Sequence, residues 1–316
     1  PRLMARLSLL TALLIATACD AGPPPAKAAT STPTPAPTSA PVPAPPAPTP
    51  EPAKLSGALH DSLYAVAWFQ TSAEYEASAL ATYNAATLAL DRALADKKWT
   101  AVLEQDGQKF AKLPPAVIVD VDETVLDNSA YQARLIADGG EFGRETWGAW
   151  VAEAKAVAIP GAKEFLTAAA KKGVRVYYVS NREAGDQAEH TRKNLAALGF
   201  PDAATLDTFL FRDDSKGWKL KSARRQEIAK THRVLIVVGD NLFDFVEEDK
   251  PARERRAALV TERSAWWGTR WFMLANPMYG SWDEALISYD YKQPAADRQR
   301  LRAASACRDS AQLRRG

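Results

Sequence analysis

The feature that most constrains the fold of this chain is an apolar run beginning at Val117 that leads into two aspartates separated by one residue, Asp120 and Asp122. Such a run is typical of a strand buried in a parallel sheet. In open α/β sheets ligands bind beyond the carboxyl ends of the strands. Two neighbouring carboxylates repel each other unless a cation or a shared proton holds them. The sequence therefore predicts a metal ion and an activated carboxylate at the end of this strand.

Two further apolar runs, residues 174–179 and 234–239, lead into polar clusters that begin at Ser180 and Asp240. The carboxyl ends of parallel strands lie at one edge of a sheet, so we expect the three clusters to face one crevice. A basic stretch, residues 216–225, lies between the last two runs and can supply an ammonium for a substrate anion. Aspartate, serine, lysine and aspartate in this order indicate phosphoryl transfer.

Helical segments alternate with these strands. The apolar spacing predicts helices over residues 63–97, 162–172 and 186–198. Alternation of strands and helices favours a parallel sheet. The predicted fold class is α/β, with a Rossmann-like parallel sheet core and a smaller, mostly helical second unit. The N-terminal helices and the insert after the first strand are expected to build that second unit.

Two long signatures, residues 118–131 and 238–245, are similar to those of the haloacid dehalogenase superfamily of phosphatases. In their detailed residue sequence, the two signatures resemble those of the bacterial class C acid phosphatases, the lipoprotein 5′-nucleotidase group. Shorter phrases agree, among them Ser-Asn-Arg at residues 180–182 and Asn-Pro-Met-Tyr-Gly-Ser-Trp at residues 276–282. The resemblance covers roughly residues 57–290. It implies a phosphomonoester hydrolase with the fold described above.

The resemblance assigns roles to the four aspartates of the signatures. Asp120 is expected to be the nucleophile that forms an aspartyl-phosphate, and also a Mg²⁺ ligand. Asp122 resembles the general acid that protonates the leaving alkoxide and then activates water, while its backbone carbonyl binds the metal. Asp240 is expected to supply a second metal-binding carboxylate, and Asp244 to hold a water of the metal shell. Mg²⁺ is the expected cofactor because this donor set consists of oxygen atoms.

Three further side chains are expected at the phosphate. Ser180 is the predicted hydroxyl donor to the phosphoryl oxygens, and Asn181 is predicted to assist with its amide. Lys221 best matches the lysine of the family, although Lys216 and Lys219 lie within two helical turns of it. A fixed ammonium beside the nucleophile would neutralise phosphate and reduce carboxylate repulsion.

Aromatic residues are the candidates for substrate choice. Tyr131 and Tyr279 are predicted to bind substrate, and Trp266, Trp267 and Trp271 are further aromatic side chains that can stack on a nucleobase. Tyr279 leads because its segment resembles the one that closes over the substrate in the family. Aromatic side chains also commonly pack in cores, so the sequence leaves both roles open.

The N-terminus is predicted to be a targeting signal. Residues 1–19 resemble a lipoprotein signal peptide that ends at Cys19, which would carry acyl chains. An ordinary secreted protein whose signal happens to contain a cysteine is the alternative. Residues 20–55 consist largely of Pro, Ala, Thr and Ser, the composition of a disordered tether. The predicted phosphatase domain spans residues 56–300, and residues 301–316 form a C-terminal tail.

A lipid on Cys19 would place the catalytic domain in the bacterial cell envelope, outside the cytoplasm. Asp20 favours retention in the inner membrane under the enterobacterial sorting rule, whereas the best-known family members lie in the outer membrane, so the membrane stays undecided. The formal net charge of +2 over 316 residues indicates a small-molecule partner and no nucleic acid polymer. The resemblance also leaves a homodimer open.

The sequence thus predicts a membrane-anchored, Mg²⁺-dependent acid phosphatase that hydrolyses phosphomonoesters, with nucleoside 5′-monophosphates as the expected substrates. A broad-specificity phosphatase for sugar or aryl phosphates is one alternative. A surface-binding lipoprotein that keeps the fold without turnover is the other. The carboxylates of the signatures argue against a pure binder, because binding alone does not require a set of mutually repelling acids.

Overall fold

A five-stranded parallel sheet with the order β5-β4-β1-β6-β7 organises the molecule. The computed structural model describes residues 60–313, so the predicted signal peptide, Cys19 and the predicted tether lie outside the described residues. The strands of this sheet are β1 (Pro115–Val119), β4 (Arg175–Glu183), β5 (Phe209–Arg212), β6 (Arg233–Gly239) and β7 (Trp271–Met273). A short antiparallel pair, β2 (Leu126–Asp127) and β3 (Val157–Ala158), lies between β1 and β4 in the chain.

Helices precede the sheet, cover its faces and follow it. They are α1 (Leu63–Thr71), α2 (Ala73–Ala95), α3 (Ser129–Asp138), α4 (Arg144–Glu153), α5 (Ala162–Lys171), α6 (Asp186–Leu198), α7 (Lys221–Thr231), α8 (Arg253–Glu262), α9 (Ser281–Leu286) and α10 (Ala295–Leu313). The alternation of strands and helices confirms the predicted α/β class. None of the helices within residues 60–313 is long and apolar enough to cross a membrane.

Side chains of β1 alternate between two cores, as the two-residue period of a strand requires. Val117 and Val119 face a core that includes α2, α5 and α6, whereas Ile118 faces a second core built with α7 and α8. All the β1 residues after Pro115 are buried. The sheet is therefore covered on both faces, and its exposed chemistry is confined to the strand ends.

The insert between β1 and β4 supplies the smaller helical part of the fold. Helix α3 packs against α1, and α4 packs against α6. These helices belong to the same compact unit as the sheet. The predicted helical second unit is thus a layer of one domain, and it lies next to the turn that follows β1.

Two predicted boundaries differ from the structure. The helix predicted over residues 63–97 is divided at Ser72, whose extended backbone and hydroxyl, an acceptor from Tyr75 N–H at 3.1 Å, form the N-cap of α2. The predicted border between the domain and a C-terminal tail at residue 300 falls inside α10. Beyond that border Arg302 forms an ion pair with Asp283 at 2.6 Å.

Candidate active site

The turn after β1 presents Asp120 and Asp122 at the carboxyl edge of the sheet. Asp120 N–H donates to the Val238 carbonyl of β6 at 3.0 Å, which extends the sheet by one residue. Glu123 then adopts a left-handed backbone with φ of 53°, and its N–H donates to the Leu126 carbonyl at 2.8 Å. This tight reversal turns the chain immediately after the two aspartates, so both side chains stay at the edge of the sheet.

Buried polar groups hold the turn from beneath. The Tyr83 hydroxyl of α2 donates to the Thr124 carbonyl at 2.6 Å. The Glu123 carboxylate accepts the Asn128 N–H at 2.8 Å. All four of these side chains are buried. The position of the aspartates is therefore fixed by residues that come from outside the sheet.

Lys221, at the first turn of α7, joins two of the predicted acids. Its ammonium donates to Asp120 Oδ1 and, at 2.6 Å, to Asp244 Oδ1. Burial opposes the charge of the ammonium, but the two carboxylates outweigh burial and raise the pKa of Lys221. Lys221 is thus a fixed cation beside the predicted nucleophile. By contrast, Lys216 pairs with Asp213 at 3.3 Å, and Lys219 is exposed.

Asp244 folds back against the end of β6. Its Oδ2 accepts the Asn241 N–H at 2.9 Å, and a Cβ on Gly239 would lie 2.2 Å from that oxygen. Only glycine leaves room for the carboxylate here. Arg225 holds the same loop through the Asp244 carbonyl at 2.9 Å. In the Gly-Asp-x-x-x-Asp motif, Gly239 therefore leaves the space that the side chain of Asp244 occupies.

Asp120, Asp240 and Asp244 converge so that one carboxylate oxygen of each lies within 4.8 Å of the others. Asn276 donates to Asp240 Oδ2 at 2.8 Å and orients it. Burial raises the pKa of Asp120 to about 7, although Lys221 opposes the shift. Burial and the charges of Asp244 and Asp120 raise the pKa of Asp240 well above its ordinary value. One ammonium does not balance three acids, so the cluster fits a hard divalent cation with oxygen ligands.

The Asp122 side chain points to a different set of partners. Asp122 Oδ1 accepts from Arg182 Nε at 2.9 Å and from Asn128 Nδ2 at 2.9 Å. Asp122 Oδ2 has a long contact of 3.5 Å with the Ser180 hydroxyl. The carboxylate of Asp122 therefore lies apart from the three-aspartate cluster. This placement is compatible with a metal contact through its backbone carbonyl only.

The residues after β4 are fixed by α7. Arg224 donates to the Ser180 carbonyl and to Asn181 Oδ1, the latter at 2.5 Å. Because Asn181 Oδ1 is used in this way, the donor end of its amide remains for a ligand in the cleft. The Ser180 hydroxyl accepts the Arg182 N–H at 3.0 Å and can still donate its own proton. Both side chains thus keep a donor, as a phosphate site requires.

A cleft of about 1340 Å³ opens over these residues. Its lining includes Asp120, Asp122 and Lys221 together with aromatic side chains. Tyr279, a predicted substrate-binding residue, is one of these aromatic residues. The others are Phe142, Trp147, Phe243, Trp282 and Tyr291.

The structure places Tyr131, a predicted substrate-binding residue, outside the lining of the cleft. Tyr131 is only 2% exposed and does not line the cleft. Its hydroxyl lies 3.0 Å from the Thr146 hydroxyl, and its ring packs edge-on against Trp147 at 5.2 Å. Tyr131 therefore supports Trp147 from behind. An aromatic ring in a helix does not reveal from sequence alone which side faces the core.

The tryptophan candidates also lie elsewhere. Trp271 is fully buried in β7, and Trp266 and Trp267 pack edge-on against it at 4.9 and 5.1 Å. None of the three lines the cleft. All three pack in the second core, and core packing was the alternative role that the sequence left open for aromatic residues.

No role was predicted from the sequence for four residues near the site, namely Arg182, Asn128, Arg224 and Trp147. Arg182 was visible as part of the Ser-Asn-Arg phrase, and Asn128 as the end of the first signature. Their partners come from distant parts of the chain, so spacing alone could not pair them. The available signal was an arginine two residues after Ser180, at the polar end of the second predicted strand.

The comparisons with known proteins agree with this site. Residues 52–282 match the family model described as HAD superfamily, subfamily IIIB (acid phosphatase). The class C acid phosphatase from Bacillus anthracis is similar in structure, with 36% identity and a TM-score of 0.68 over 77% of this chain and 95% of that chain. The same enzyme with tungstate bound gives 35% identity and a TM-score of 0.68 over the same shares.

Proposed function

The chain belongs to the acid phosphatases of haloacid dehalogenase subfamily IIIB and is a phosphomonoester hydrolase, and from this premise we propose that it is a Mg²⁺-dependent enzyme that forms an aspartyl-phosphate on Asp120. Nucleoside 5′-monophosphates are the proposed substrates. Because the chain is an enzyme, the surface-binding lipoprotein without turnover is not retained. The choice between nucleotides and a broad range of sugar or aryl phosphates rests on the cleft.

The observation that carries the proposal is the contact of Lys221 with both Asp120 and Asp244, next to Asp240. A nucleophilic carboxylate must approach a dianionic ester, and the repulsion is reduced if cations are already in place. Lys221 supplies one such charge at the nucleophile itself. Asp120, Asp240 and the Asp122 carbonyl would hold Mg²⁺, with Asp244 placed to hold a water of its shell, and the ion would supply the remaining positive charge.

The reaction then divides into two displacements. In the first, a carboxylate oxygen of Asp120 forms a bond to phosphorus while the ester oxygen leaves and takes a proton from Asp122. In the second, Asp122 takes a proton from water, which attacks phosphorus and releases Asp120 and inorganic phosphate. Ser180 and Asn181 hold the phosphoryl oxygens during both steps. The tungstate bound to the Bacillus anthracis enzyme supports an oxyanion site of this kind.

The aromatic side chains that line the cleft support the nucleotide preference. Tyr279 is partly buried against the core that includes α2, α5 and α6, and it also lines the cleft. Stacking on an aromatic ring is worth about 1–3 kcal/mol per base. Trp147 and Trp282 offer further aromatic surface in the same cleft. A phosphate ester without a base would leave this surface unused.

We propose in addition that Cys19 carries the lipid that anchors the enzyme to a membrane of the cell envelope. A homodimer is part of the same proposal. Replacement of Cys19 by Ser should release activity into the soluble fraction with an unchanged kcat, because the predicted tether separates the anchor from the domain. A wild-type protein already found in the soluble fraction would contradict the anchor. Sedimentation of the released enzyme would test the dimer.

Phosphate release from nucleotides, sugar phosphates and aryl phosphates, each with chelator and with added Mg²⁺, tests the main proposal. We expect chelation to abolish activity, Mg²⁺ to restore it and Zn²⁺ to be a poor substitute for an all-oxygen shell. Asp240→Asn should require much more Mg²⁺. Activity indifferent to chelator would contradict the metal site.

The matched variant for the substrate proposal is Tyr279→Ala. It should weaken nucleotide hydrolysis by about 1–3 kcal/mol in kcat/KM and leave small phosphate esters little changed. A uniform loss on all esters would instead make Tyr279 a packing residue, and it would favour the broad-specificity enzyme.

A further inference from the structure

Arg182 is a charged side chain that the proposed chemistry does not use. It follows Ser180 and Asn181 at the end of β4 and is only 3% exposed. Burying a guanidinium is costly unless its hydrogen bonds are satisfied. Each of its three nitrogen atoms has a partner: Nε contacts Asp122 at 2.9 Å, Nη1 contacts Thr191 at 2.9 Å and Nη2 contacts Asn128 at 3.1 Å.

The contact of Arg182 with Asp122 is two-pronged. Nε donates a hydrogen bond to Asp122 Oδ1 at 2.9 Å, Nη2 forms an ion pair with the same oxygen at 2.8 Å, and Asn128 Nδ2 donates to it at 2.9 Å. With two hydrogen bonds accepted and a guanidinium nitrogen beside it, Oδ1 is the oxygen that stays unprotonated. Asp122 Oδ2 has only the long contact with the Ser180 hydroxyl among the described residues. A transferable proton on Asp122 therefore belongs on Oδ2.

The partners of Arg182 are themselves fixed. Asn128 is fully buried and its Oδ1 accepts from Trp150 Nε1 at 2.9 Å as well as from Arg182. Thr191 is fully buried on α6. The Trp147 ring lies 5.3 Å from the guanidinium carbon, within the range of a cation–π contact. Arg182 is thus held by the insert and by α6, and it holds Asp122 in turn.

We propose that Arg182 is the positioning residue of the general acid. Together with Asn128 it commits Oδ1 of Asp122 to hydrogen bonds and so presents Oδ2, with its proton, to the leaving oxygen of the ester. This inference rests on the proposed role of Asp122. A carboxylic acid free to rotate about its side chain would present either oxygen, and misplacement of a catalytic group by about 1 Å can cost on the order of 10²-fold in rate.

Leaving groups of different basicity give the test. A 4-nitrophenyl ester needs little protonation, whereas a primary alkyl phosphate needs the acid. Arg182→Lys keeps the charge but loses the two-pronged contact, and Arg182→Gln loses both. We expect kcat for the alkyl phosphate to fall on the order of 10²-fold and kcat for the nitrophenyl ester to fall at least roughly tenfold less. Inhibition by inorganic phosphate should be unchanged, since Arg182 is proposed to act through Asp122.

Two further variants test whether a loss of activity arises from the position of Arg182. Thr191→Val removes the acceptor of Nη1 without touching Asp122, and it should lower the alkyl-to-aryl rate ratio by a smaller factor. Arg134→Lys is the matched control. Arg134 also lies over a tryptophan ring, that of Trp150 at 4.9 Å, but it does not line the cleft. Its rates should equal those of the wild type. If the Arg182 variants do not fold, Thr191→Val decides the question alone.

The outcomes separate this inference from the proposed function. Equal losses on both esters in the Arg182 variants, beside a leaving-group-dependent loss in Asp122→Asn, would overturn the positioning role alone. Equal losses in Asp122→Asn would overturn the acid assignment and the inference together. Weaker inhibition by inorganic phosphate in Arg182→Lys would make Arg182 a phosphate ligand and would also overturn the inference.

Discussion

Gly239→Ala should disturb the site through one added methyl group. The Cβ would lie 2.2 Å from Asp244 Oδ2, about 1.2 Å inside the 3.4 Å at which ordinary van der Waals contact begins, and 2.5 Å from Asp244 Cβ. The carboxylate cannot move without stretching its bonds to Asn241 N–H at 2.9 Å and to Lys221 at 2.6 Å. The backbone of Gly239 is strand-like, so the effect comes from the collision and not from φ.

The magnitude follows from the two losses. Overpacking of this kind costs about 1–3 kcal/mol, and a hydrogen bond to a charged group contributes about 1.5–3 kcal/mol. We therefore expect the free energy of unfolding to fall by at least about 1–3 kcal/mol, which shifts Tm by roughly 2–4 °C for each kcal/mol in a domain of this size. The concentration of Mg²⁺ that gives half-maximal activity should rise, because Asp244 leaves the three-aspartate cluster.

Thermal melting and a Mg²⁺ titration of phosphatase activity measure these effects. Gly148→Ala is the matched control, since Gly148 lies inside α4 with no atom within 4 Å of its added Cβ. Alanine is favoured over glycine in a helix by about 1 kcal/mol, so this control should melt at the wild-type temperature or above it. A Gly239→Ala enzyme with wild-type melting and an unchanged Mg²⁺ requirement would refute the packing argument.

Three other changes test separate parts of the structure. Tyr83→Phe leaves the buried Thr124 carbonyl without its 2.6 Å donor and should lower the free energy of unfolding by about 1–3 kcal/mol in chemical denaturation; an unchanged midpoint would argue against this anchor. Lys221→Gln leaves two buried carboxylates without their cation and should lower kcat/KM on the order of 10²-fold; wild-type inhibition by inorganic phosphate in this variant would contradict its place at the phosphate. Asp283→Asn breaks a pair with Arg302 at 2.6 and 2.7 Å and should speed limited proteolysis within α10, whereas an unchanged cleavage rate would mean that other contacts hold the helix.

The strand ends were predictable because a simple geometric rule applies to them. Apolar runs followed by polar residues indicated buried parallel strands, and the carboxyl ends of such strands meet at one edge. Asp120, Ser180 and Asp240 follow from that rule, whereas Lys221 was singled out from the basic stretch by its resemblance to the lysine of the family. Helix α6 was predicted at its observed bounds, because Gly199 ends the periodic pattern with a left-handed C-cap.

The remaining features depend on contacts that local sequence does not specify. Tyr131 points away from the cleft because the other face of α3 meets it, and a helix of mixed composition does not show which face is inward. The break at Ser72 results from a side-chain cap that competes with a continuous helix. Arg182 obtains two of its partners, Asp122 and Asn128, from residues 60 and 54 positions earlier in the chain, so only the folded insert reveals the link.

The formation of an aspartyl-phosphate on Asp120 is the central claim, and acid quenching during turnover tests it most directly. The acyl phosphate, a mixed anhydride, survives in acid long enough for proteolysis and mass spectrometry of the peptide that spans residues 115–128. We predict the added mass of one phosphoryl group on Asp120 in the wild type, a larger phosphorylated fraction with Asp122→Asn because the second step is slowed, and none with Asp120→Asn. Phosphorylation of another residue, or full turnover by Asp120→Asn, would contradict the account.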